Sequence, residues 1–228
     1  VLASALAMDK GRTKEVLAHH GVRTPPWVDV AAPAWRSERA GITARLRDLP
    51  GPWVVKPARD GSSFGVRLVD RGDDLPAALD EALAEPGARV LVERRVAGTE
   101  VTCPVLGNAG SALETLPLIE IVPRGRDFFD FEAKYQGASE EICPARVDER
   151  VAATVRELAL RAHSVLGCDG LSRSDFMVDA GGGVWFLETN TIPGMTAASL
   201  CPLAARTAGM SFADLCLRVV DLALPPRG

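Results

Sequence analysis

The residues of this chain best suited to chemistry are two carboxylates and an amide, Asp175, Glu188 and Asn190. No histidine or cysteine accompanies them, and oxygen ligands alone suit a hard divalent cation such as Mg²⁺. Magnesium in proteins is usually held by one or two carboxylates together with substrate phosphates. The three residues therefore indicate a site for a metal–nucleotide phosphate. The alternative is that they form the exposed charged face of an edge hairpin.

Two apolar segments that flank three consecutive glycines carry these side chains and are predicted to form a β-hairpin. The segments are residues 171–179 and 184–190, within the sequence LSRSDFMVDAGGGVWFLETN. Gly181 and Gly182 are expected at the centre of the turn, because glycine readily adopts the positive φ angles of a two-residue turn.

This turn fixes which residues of the two strands face each other. Asp175 is expected directly opposite Glu188, and Arg173 directly opposite Asn190. Because side chains alternate between the two faces of a strand, all four then share one face. Two opposed carboxylates repel each other unless a cation lies between them, which favours the metal site.

The overall composition excludes several classes of partner. The 228 residues are 47% apolar and 25% charged, as in ordinary globular proteins, and they suffice for one large domain or two smaller ones. A net charge of −4 offers no basic field, so neither nucleic acid nor a membrane is expected as a partner. No apolar run reaches the length needed to span a bilayer.

The cysteines indicate the redox environment of the protein, and the first residues indicate whether the chain is part of a longer one. Five scattered cysteines without C-x-x-C spacing favour reduced thiols in a cytoplasmic protein over disulfides or a zinc site. No signal peptide is visible. The chain starts at Val1 without methionine, and its first residues are typical of the interior of a protein. We therefore expect that an N-terminal portion precedes it.

Helical and strand patterns alternate irregularly along the chain, which predicts an α+β fold with partly antiparallel strands. Besides the hairpin, strands are predicted over residues 53–56, 66–69, 90–96, 100–106 and 115–122. Helices are predicted over residues 9–20, 37–49, 73–84, 149–167, 197–208 and 211–224, and residues 123–149 are expected to be irregular. The natural division falls between residues 97 and 98.

A second candidate site is the glycine- and serine-rich loop over residues 58–65, which follows Lys56 at the end of a strand. Such a loop can present backbone N–H groups and the hydroxyls of Ser62 and Ser63 to a phosphate. It is not a P-loop, because the lysine precedes the loop and no helix follows it. The alternative is an ordinary hairpin loop.

Three further positions are weaker candidates. The strand end at Glu93–Val96 could offer backbone groups to an adenine edge, while Glu100 could accept from ribose hydroxyls; a polar strand exit is the alternative. Lys134 and Tyr135 lie in a long irregular segment, and long loops are often functional. Lys10 lies in the first turn of a helix, where a cation is unfavourable unless a phosphate approaches.

Taken in order, these features resemble the ATP-grasp superfamily, and within it the D-alanine–D-alanine ligases. The resemblance covers nearly the whole chain, and its last motif is the most specific. The motifs are AMDKGRTK from Ala7, VKPARDGSSFG from Val55, FEAKY from Phe131 and LETNTIPGMT from Leu187. It implies two α+β subdomains, residues 1–97 and 98–228, with the nucleotide held between them.

The resemblance also implies a role for each matching residue. Residues matched to ATP are Lys10, Lys56, Ser62, Ser63, Glu93, Val96, Glu100 and Lys134, and those matched to the ligands of two Mg²⁺ ions (Mn²⁺ as an alternative) are Asp175, Glu188 and Asn190. Residues matched to catalysis are Arg173, Ser62, Tyr135 and Gly194, and those matched to substrate contacts are Arg173, Gly194, Ser199 and Leu200.

The implied reaction joins two D-alanine molecules through an acyl phosphate at the expense of ATP, for peptidoglycan synthesis, in a cytoplasmic homodimer. Tyr135 favours amide formation over ester formation. Two departures from the family pattern stand out. The N-terminal domain that binds the first substrate's ammonium group has no counterpart here, and Ser174 replaces a branched apolar residue. Another ATP-grasp carboxylate–amine ligase, or a nucleotide-binding fragment without catalysis, are the alternatives.

Overall fold

The computed structural model describes residues 1–59, 65–123 and 139–224. Its strands are β1 (Trp27–Ala31), β2 (Trp53–Pro57), β3 (Arg67–Val69), β4 (Arg89–Arg94), β5 (Gly98–Leu106), β6 (Glu114–Thr115), β7 (Ile119–Pro123), β8 (Ser139–Ile142), β9 (Leu171–Asp179) and β10 (Val184–Asn190). Its α-helices are α1 (Leu2–Met8), α2 (Lys10–His19), α3 (Ala32–Ser37), α4 (Arg39–Arg47), α5 (Leu75–Ala82), α6 (Glu149–Leu166), α7 (Leu200–Thr207) and α8 (Phe212–Ala223).

The smaller sheet has four antiparallel strands in the order β1-β4-β2-β3. Its central strand, β4, is an apolar run of β-branched and leucine residues that suits burial on both faces. Helices α3, α4 and α5 cover one face, and Trp35, Leu46 and Leu79 are among the side chains of the shared core. This sheet carries Lys56 on β2 and Glu93 on β4.

The larger sheet runs in the order β10-β9-β5-β7-β8, and β6 pairs with the outer part of β5. The long helix α6 packs one apolar stripe against it, as its strong amphipathic pattern predicts. Asp148 caps the first turn of α6, and Gly167 ends it in the left-handed conformation. Helices α7 and α8 pack on another part of the sheet around Leu106, Ile119 and Leu215.

Helix α2 connects the two sheets. Its Leu17, together with Val22 just beyond the helix, lies in the core of the larger sheet. At its other end, the N–H of Lys10 donates to the carbonyl of Ala58, which follows β2 of the smaller sheet, at 2.9 Å. The strands of the two sheets separate between residues 94 and 98, but the N-terminal helices pack with the later sheet. The division into residues 1–97 and 98–228 stays a prediction.

Several local predictions require correction. The helix expected over residues 37–49 is α4, and a further helix that was not predicted, α3, precedes it with a break at Glu38. Strand β1 was not predicted, since its five residues include a central aspartate that interrupts the apolar run. Strand β8, with the sequence SEEI, lies in the segment expected to be irregular, and it forms by pairing with β7 rather than from β propensity.

The helices in the described parts of the chain include none that is both long and apolar enough to cross a membrane. The predicted α+β arrangement with antiparallel strands is confirmed.

Candidate active site

The hairpin β9–β10 shows the predicted pairing of its polar residues, but its turn and the register next to the turn differ from the prediction. Asp175 lies opposite Glu188 and Arg173 opposite Asn190, as expected. The two-residue turn at Gly181 and Gly182 is wrong, because Val184 pairs with Val178 rather than with Asp179. A β-bulge between Phe186 and Glu188 then shifts the register by one residue and restores the pairing of the polar residues.

The wider turn is stabilised by the side chain of Asp179. Its carboxylate accepts from the N–H groups of Gly181 at 3.0 Å and Gly183 at 2.8 Å. Gly182 takes the left-handed conformation with φ of 78°, and its N–H donates to the carbonyl of Asp179. An aspartate at the start of a turn often satisfies the following backbone in this way. Glycine was therefore needed at one turn position, although the turn contains one residue more than expected.

Side chains of β9 around Ser174 alternate between a cavity and the protein interior. The hydroxyl groups of Ser174 and Thr189 lie 2.8 Å apart on one side of the strand pair. Asp175, which follows Ser174, lines the cavity, and so does Thr189. Ser174 itself is not among the residues that line the cavity.

Arg173 and Asp175 form a buried, two-point ion pair on β9. Arg173 Nε lies 2.9 Å from Asp175 Oδ1, and Arg173 Nη2 lies 3.0 Å from Oδ2. Thr102 on the neighbouring β5 also donates its hydroxyl to Asp175 Oδ1. Burial alone would lower the pKa of Arg173, but the adjacent Asp175 carboxylate outweighs it and raises that pKa. The guanidinium is therefore a fixed positive charge at the cavity wall.

A cavity of about 610 Å³ brings together many of the residues predicted for the site. The predicted site residues that line it are Lys10, Glu100, Arg173, Asp175, Glu188, Asn190, Gly194, Ser199 and Leu200. They come from α2, β5, the β9–β10 hairpin and the segment that leads into α7. Residues far apart in the sequence thus share one concave surface, as a small-molecule site requires.

The remaining predicted site residues lie elsewhere. Lys56, Glu93 and Val96 are buried, and they are not among the residues that line this cavity. Ser62, Ser63, Lys134 and Tyr135 lie outside the residues that the structure describes.

The donor set on the cavity wall has the chemistry that Mg²⁺ requires. Glu188 has the more accessible carboxylate, with a side chain 31% exposed, and Lys10 Nζ lies 3.7 Å from its Oε2. Asn190 Oδ1 accepts from the N–H of Ile192 at 3.0 Å. No group of three acidic, histidine or cysteine side chains that could hold a metal occurs in the described ranges. Two carboxylates and one amide nevertheless match the few protein ligands that magnesium commonly takes beside phosphate oxygens.

Lys10 is held at the cavity by the start of α2. The carboxylate of Asp9 accepts from the N–H of Arg12 at 3.2 Å and caps the helix. Arg89 of β4 donates to the other oxygen of Asp9 at 2.7 Å, and its guanidinium also pairs with Asp29 of β1. Burial raises the pKa of Asp9, but the Arg12 N–H and the Arg89 charge together bring it below the ordinary value. The helix end that carries Lys10 is therefore anchored to two strands of the smaller sheet.

A buried cluster behind this helix contains a lysine that sequence reasoning missed. Glu93 lies between two ammonium groups, with Oε1 3.1 Å from Lys14 Nζ and Oε2 3.0 Å from Lys56 Nζ. Lys14 follows Lys10 by four residues, which places both on one face of a helix, and this spacing was the available signal. The carboxylate of Glu93 is thus occupied by an ion pair, and its predicted contact with adenine stays a prediction.

Glu141 on β8 also lines the cavity and was not predicted. Desolvation raises the pKa of its carboxyl, and the charge of Arg173 only partly opposes this rise. The residue was missed because its strand was expected to be irregular.

Two antiparallel sheets, with a cavity that presents cationic side chains and magnesium-type oxygen ligands, agree with the resemblance of the sequence to the ATP-grasp superfamily. Comparisons with known proteins narrow this class to one family. A family model described as the D-ala D-ala ligase C-terminus matches residues 16–221. The chain therefore belongs to the D-alanine–D-alanine ligase family.

Individual relatives agree with this assignment. The chain is 48% identical to a D-alanine–D-alanine ligase of Desulforudis audaxviator, over 98% of this chain and 71% of that protein. It is 45% identical to one of Syntrophobacter fumaroxidans, over 98% of this chain and 70% of that protein. It therefore spans about 70% of the length of these relatives.

Solved structures show the same fold. The D-alanine–D-alanine ligase of Bacillus anthracis complexed with ATP is 27% identical and has a TM-score of 0.80, over 97% of this chain and 67% of that one. The VanG D-Ala:D-Ser ligase of Enterococcus faecalis is 33% identical and has a TM-score of 0.84, over 98% of this chain and 63% of that one.

Proposed function

We propose that the protein containing this chain ligates two D-alanine molecules to D-alanyl-D-alanine with the conversion of ATP to ADP and phosphate, for peptidoglycan synthesis. The observation that carries the proposal is one cavity lined by Lys10, Arg173, Asp175, Glu188 and Asn190. The names of the relatives support the same reaction, as does the similar structure that was solved with ATP.

The chemical need for ATP follows from the substrate. A carboxylate is a poor electrophile, so one carboxylate oxygen of the first D-alanine attacks the γ-phosphorus and ADP leaves. The amine of the second D-alanine, after loss of a proton, attacks the carbonyl carbon of the acyl phosphate. Inorganic phosphate then departs as the amide forms. Both steps concentrate negative charge, which explains a site rich in fixed cations.

The side chains of the cavity divide these tasks in our proposal. Lys10 binds phosphate oxygens. Arg173 stabilises the oxyanion of the tetrahedral intermediate beside the backbone of Gly194, because its guanidinium is already oriented by Asp175. Ser199 and Leu200 contact the carboxylate of the second substrate from the start of α7.

Asp175, Glu188 and Asn190 would hold up to two Mg²⁺ ions, with Mn²⁺ as an alternative. Bound there, magnesium supplies neutralisation of phosphate charge. The protein's own contribution is to keep these oxygens on one wall: the bulge in β10 sets the facing of Glu188, and the Ile192 N–H orients the Asn190 amide.

The remaining proposals concern residues and properties beyond the cavity wall. Lys56, Ser62, Ser63 and Lys134 would bind the phosphates, Glu93 and Val96 the adenine, and Glu100 the ribose, while Tyr135 and Ser62 would take part in catalysis. We also propose a cytoplasmic homodimer.

Phosphate release tests the reaction. Release from the full-length protein should require ATP, Mg²⁺ and D-alanine together, and the product should be a dipeptide by mass spectrometry. L-alanine serves as the matched control, because it differs only in the configuration at Cα. Equal release with both enantiomers, or none with D-alanine, would contradict the proposal.

A different acceptor is the second candidate, and it is favoured by the similarity to the D-Ala:D-Ser ligase. Competition between D-alanine and D-serine as the second substrate separates the two. A mixed dipeptide as the dominant product at equal concentrations would replace our first assignment. Calorimetry that shows ATP·Mg²⁺ binding without turnover would instead indicate a nucleotide-binding protein without ligase activity.

A further inference from the structure

The buried ion cluster of Lys14, Glu93 and Lys56 lies behind the cavity and has an unusual charge balance. It contains two ammonium groups and one carboxylate, with N–O distances of 3.1 Å and 3.0 Å. The carboxylate is 3% exposed. A single pair at this depth would be neutral, whereas this group carries a net positive charge when all three members are ionised.

The two lysines differ in their access to a ligand. Lys14 is completely buried, and its ammonium also contacts the hydroxyl of Thr24 and the ring of Trp27, whose centroid lies 5.6 Å away. Lys56 is 11% exposed and is the member nearest to solvent. Lys14 therefore cannot touch a substrate, but any excess charge of the cluster can act through Lys56.

The cluster also fastens α2 to the smaller sheet, which α2 already contacts through the Lys10 N–H and through Asp9 at its N-terminus. Lys14 comes from α2, which packs on the larger sheet, whereas Lys56 and Glu93 come from β2 and β4 of the smaller sheet. Lys10, one turn before Lys14 on the same helix, lies 3.7 Å from Glu188 in the cavity. Lys14 thus shares a helix with Lys10 at the cavity and a carboxylate partner with Lys56.

We propose that Lys14 is a positioning residue for nucleoside triphosphate binding: it takes a share of the Glu93 carboxylate, so that Lys56 keeps its orientation and much of its positive charge for a phosphate. This inference rests on the proposed function. Without Lys14, Glu93 would pair with Lys56 alone, and the attraction of that single pair would compete directly with the phosphate for the same ammonium.

The charges around Lys14 support the proposal that Lys14 shares the Glu93 carboxylate with Lys56. The pKa of Lys14 is lowered to about 8, mainly by desolvation, which outweighs the rise caused by the Glu93 carboxylate. The charge of Lys56 on β2 also lowers this pKa, and that of Glu188 on β10 raises it. The carboxyl of Glu93 would have its pKa raised by burial, but Lys14 and Lys56 outweigh this and lower it. Lys14 therefore loses its positive charge as the pH rises through about 8, the pKa to which burial lowers it.

A purely structural role is the competing explanation, in which Lys14 only fastens α2 to β4. The two explanations differ in what they predict for ligand affinity. A structural fastener changes the free energy of unfolding and leaves the dissociation constant for ATP unaltered. A positioning residue changes that constant, and it does so only while Glu93 carries its charge.

The experiment measures binding of ATP·Mg²⁺ to the full-length protein by calorimetry for four proteins: wild type, Lys14→Met, Glu93→Gln and the double variant. Lys14→Met should weaken binding roughly tenfold, a typical coupling between members of one ion network. In the Glu93→Gln background the same change should cost less than about twofold. Arg12→Met on the exposed face of α2 is the matched control and should bind like wild type.

The pH dependence of the affinity for ATP·Mg²⁺ is a second measurement, and a purely structural role of Lys14 would not change it. The affinity of the wild type for ATP·Mg²⁺ should fall as the pH rises through about 8, where Lys14 loses its proton, and Lys14→Met should lack that fall. Unchanged affinity in Lys14→Met, or an equal loss with and without Glu93→Gln, overturns the inference. If the wild type itself binds no ATP·Mg²⁺, the proposed function fails instead.

Discussion

The Arg173–Asp175 pair and the Lys14–Glu93–Lys56 cluster are both buried ion networks, but they use their charges differently. Arg173 and Asp175 make a balanced pair at the cavity wall, where a two-point contact fixes a guanidinium for use by a substrate. The cluster is unbalanced and lies deeper, and its most buried member is 0% exposed. In our proposals, one network positions a guanidinium that contacts the reacting atoms, whereas the other adjusts the charge of a neighbouring lysine.

The largest expected effect is that of a substitution at Glu188, which tests the role of the cavity wall in metal binding. Glu188→Gln keeps the shape of the side chain and removes the charge needed for a divalent cation, so ligation should fall by about a thousandfold or more. The free energy of unfolding should change little, because the side chain is 31% exposed. Steady-state phosphate release and thermal unfolding measure the two quantities.

Glu157→Gln on the exposed face of α6 is the matched control, since its ion pair with Arg161 lies at the surface. It should behave like wild type in both measurements. Wild-type turnover in Glu188→Gln would remove the metal assignment.

Arg173→Met tests the balanced pair itself. It leaves Asp175 buried without its cation, a change that typically costs about 3–5 kcal/mol of stability and here also abolishes the proposed oxyanion contact. Asp175→Asn with Arg173→Met should recover part of the stability but none of the activity, because it removes the unpaired charge. Denaturant unfolding at neutral pH separates these outcomes, and Arg161→Met, at an exposed pair, is the control. If the double variant is no more stable than Arg173→Met, the buried charge of Asp175 is not what destabilises the single variant.

The two regions also differ in how far the sequence could predict them. The parity of Asp175, Glu188 and Asn190 follows from strand alternation, so their shared face was predictable even though the turn was not. The bulge offsets the extra residue of the turn, where Asp179 accepts from the N–H groups of Gly181 and Gly183, and alternation alone encodes neither feature.

The lysine cluster could not be predicted in the same way, because its three members come from separate elements. The spacing of Lys10 and Lys14 shows a common helix face but not what faces it. The pairing of β2 with β4, which places Val54 opposite Glu93, is a long-range fact that becomes visible only in the fold. Strand β8 and its Glu141 were missed for the same reason, since pairing with β7 creates that strand.

The free energy of unfolding at alkaline pH tests whether Lys14 of the cluster releases its proton in the folded protein. The pKa of Lys14 is lowered to about 8 in the folded protein from a model-compound value of 10.5. Between these values the unfolded chain binds a proton that the folded chain has released, so the free energy of unfolding should rise with pH there. Lys14→Met lacks this term, and the advantage of the wild type over it should grow between pH 8 and 10.

Denaturant unfolding of both proteins at several pH values measures this difference. Below pH 8 both states of the wild type hold the proton, so the difference should be constant. A difference that stays flat, or that falls, between pH 8 and 10 would show that Lys14 keeps its proton when buried.

The smallest expected effect concerns Asp9 at the start of α2. Its variants separate the contribution of the helix cap from that of the charge on Asp9. Asp9→Asn keeps an oxygen that can accept from the N–H of Arg12, but it loses the charge that attracts Arg89; Asp9→Ala loses both. A lost N-cap typically costs about 1 kcal/mol, so Asp9→Ala should be destabilised by that amount beyond Asp9→Asn. Both variants should weaken ATP·Mg²⁺ binding to a similar, modest extent if Arg89 positions Lys10 through the charge of Asp9. Equal stabilities with unequal affinities would reverse this division, and would mean that Lys10 is held by the cap rather than by the ion pair.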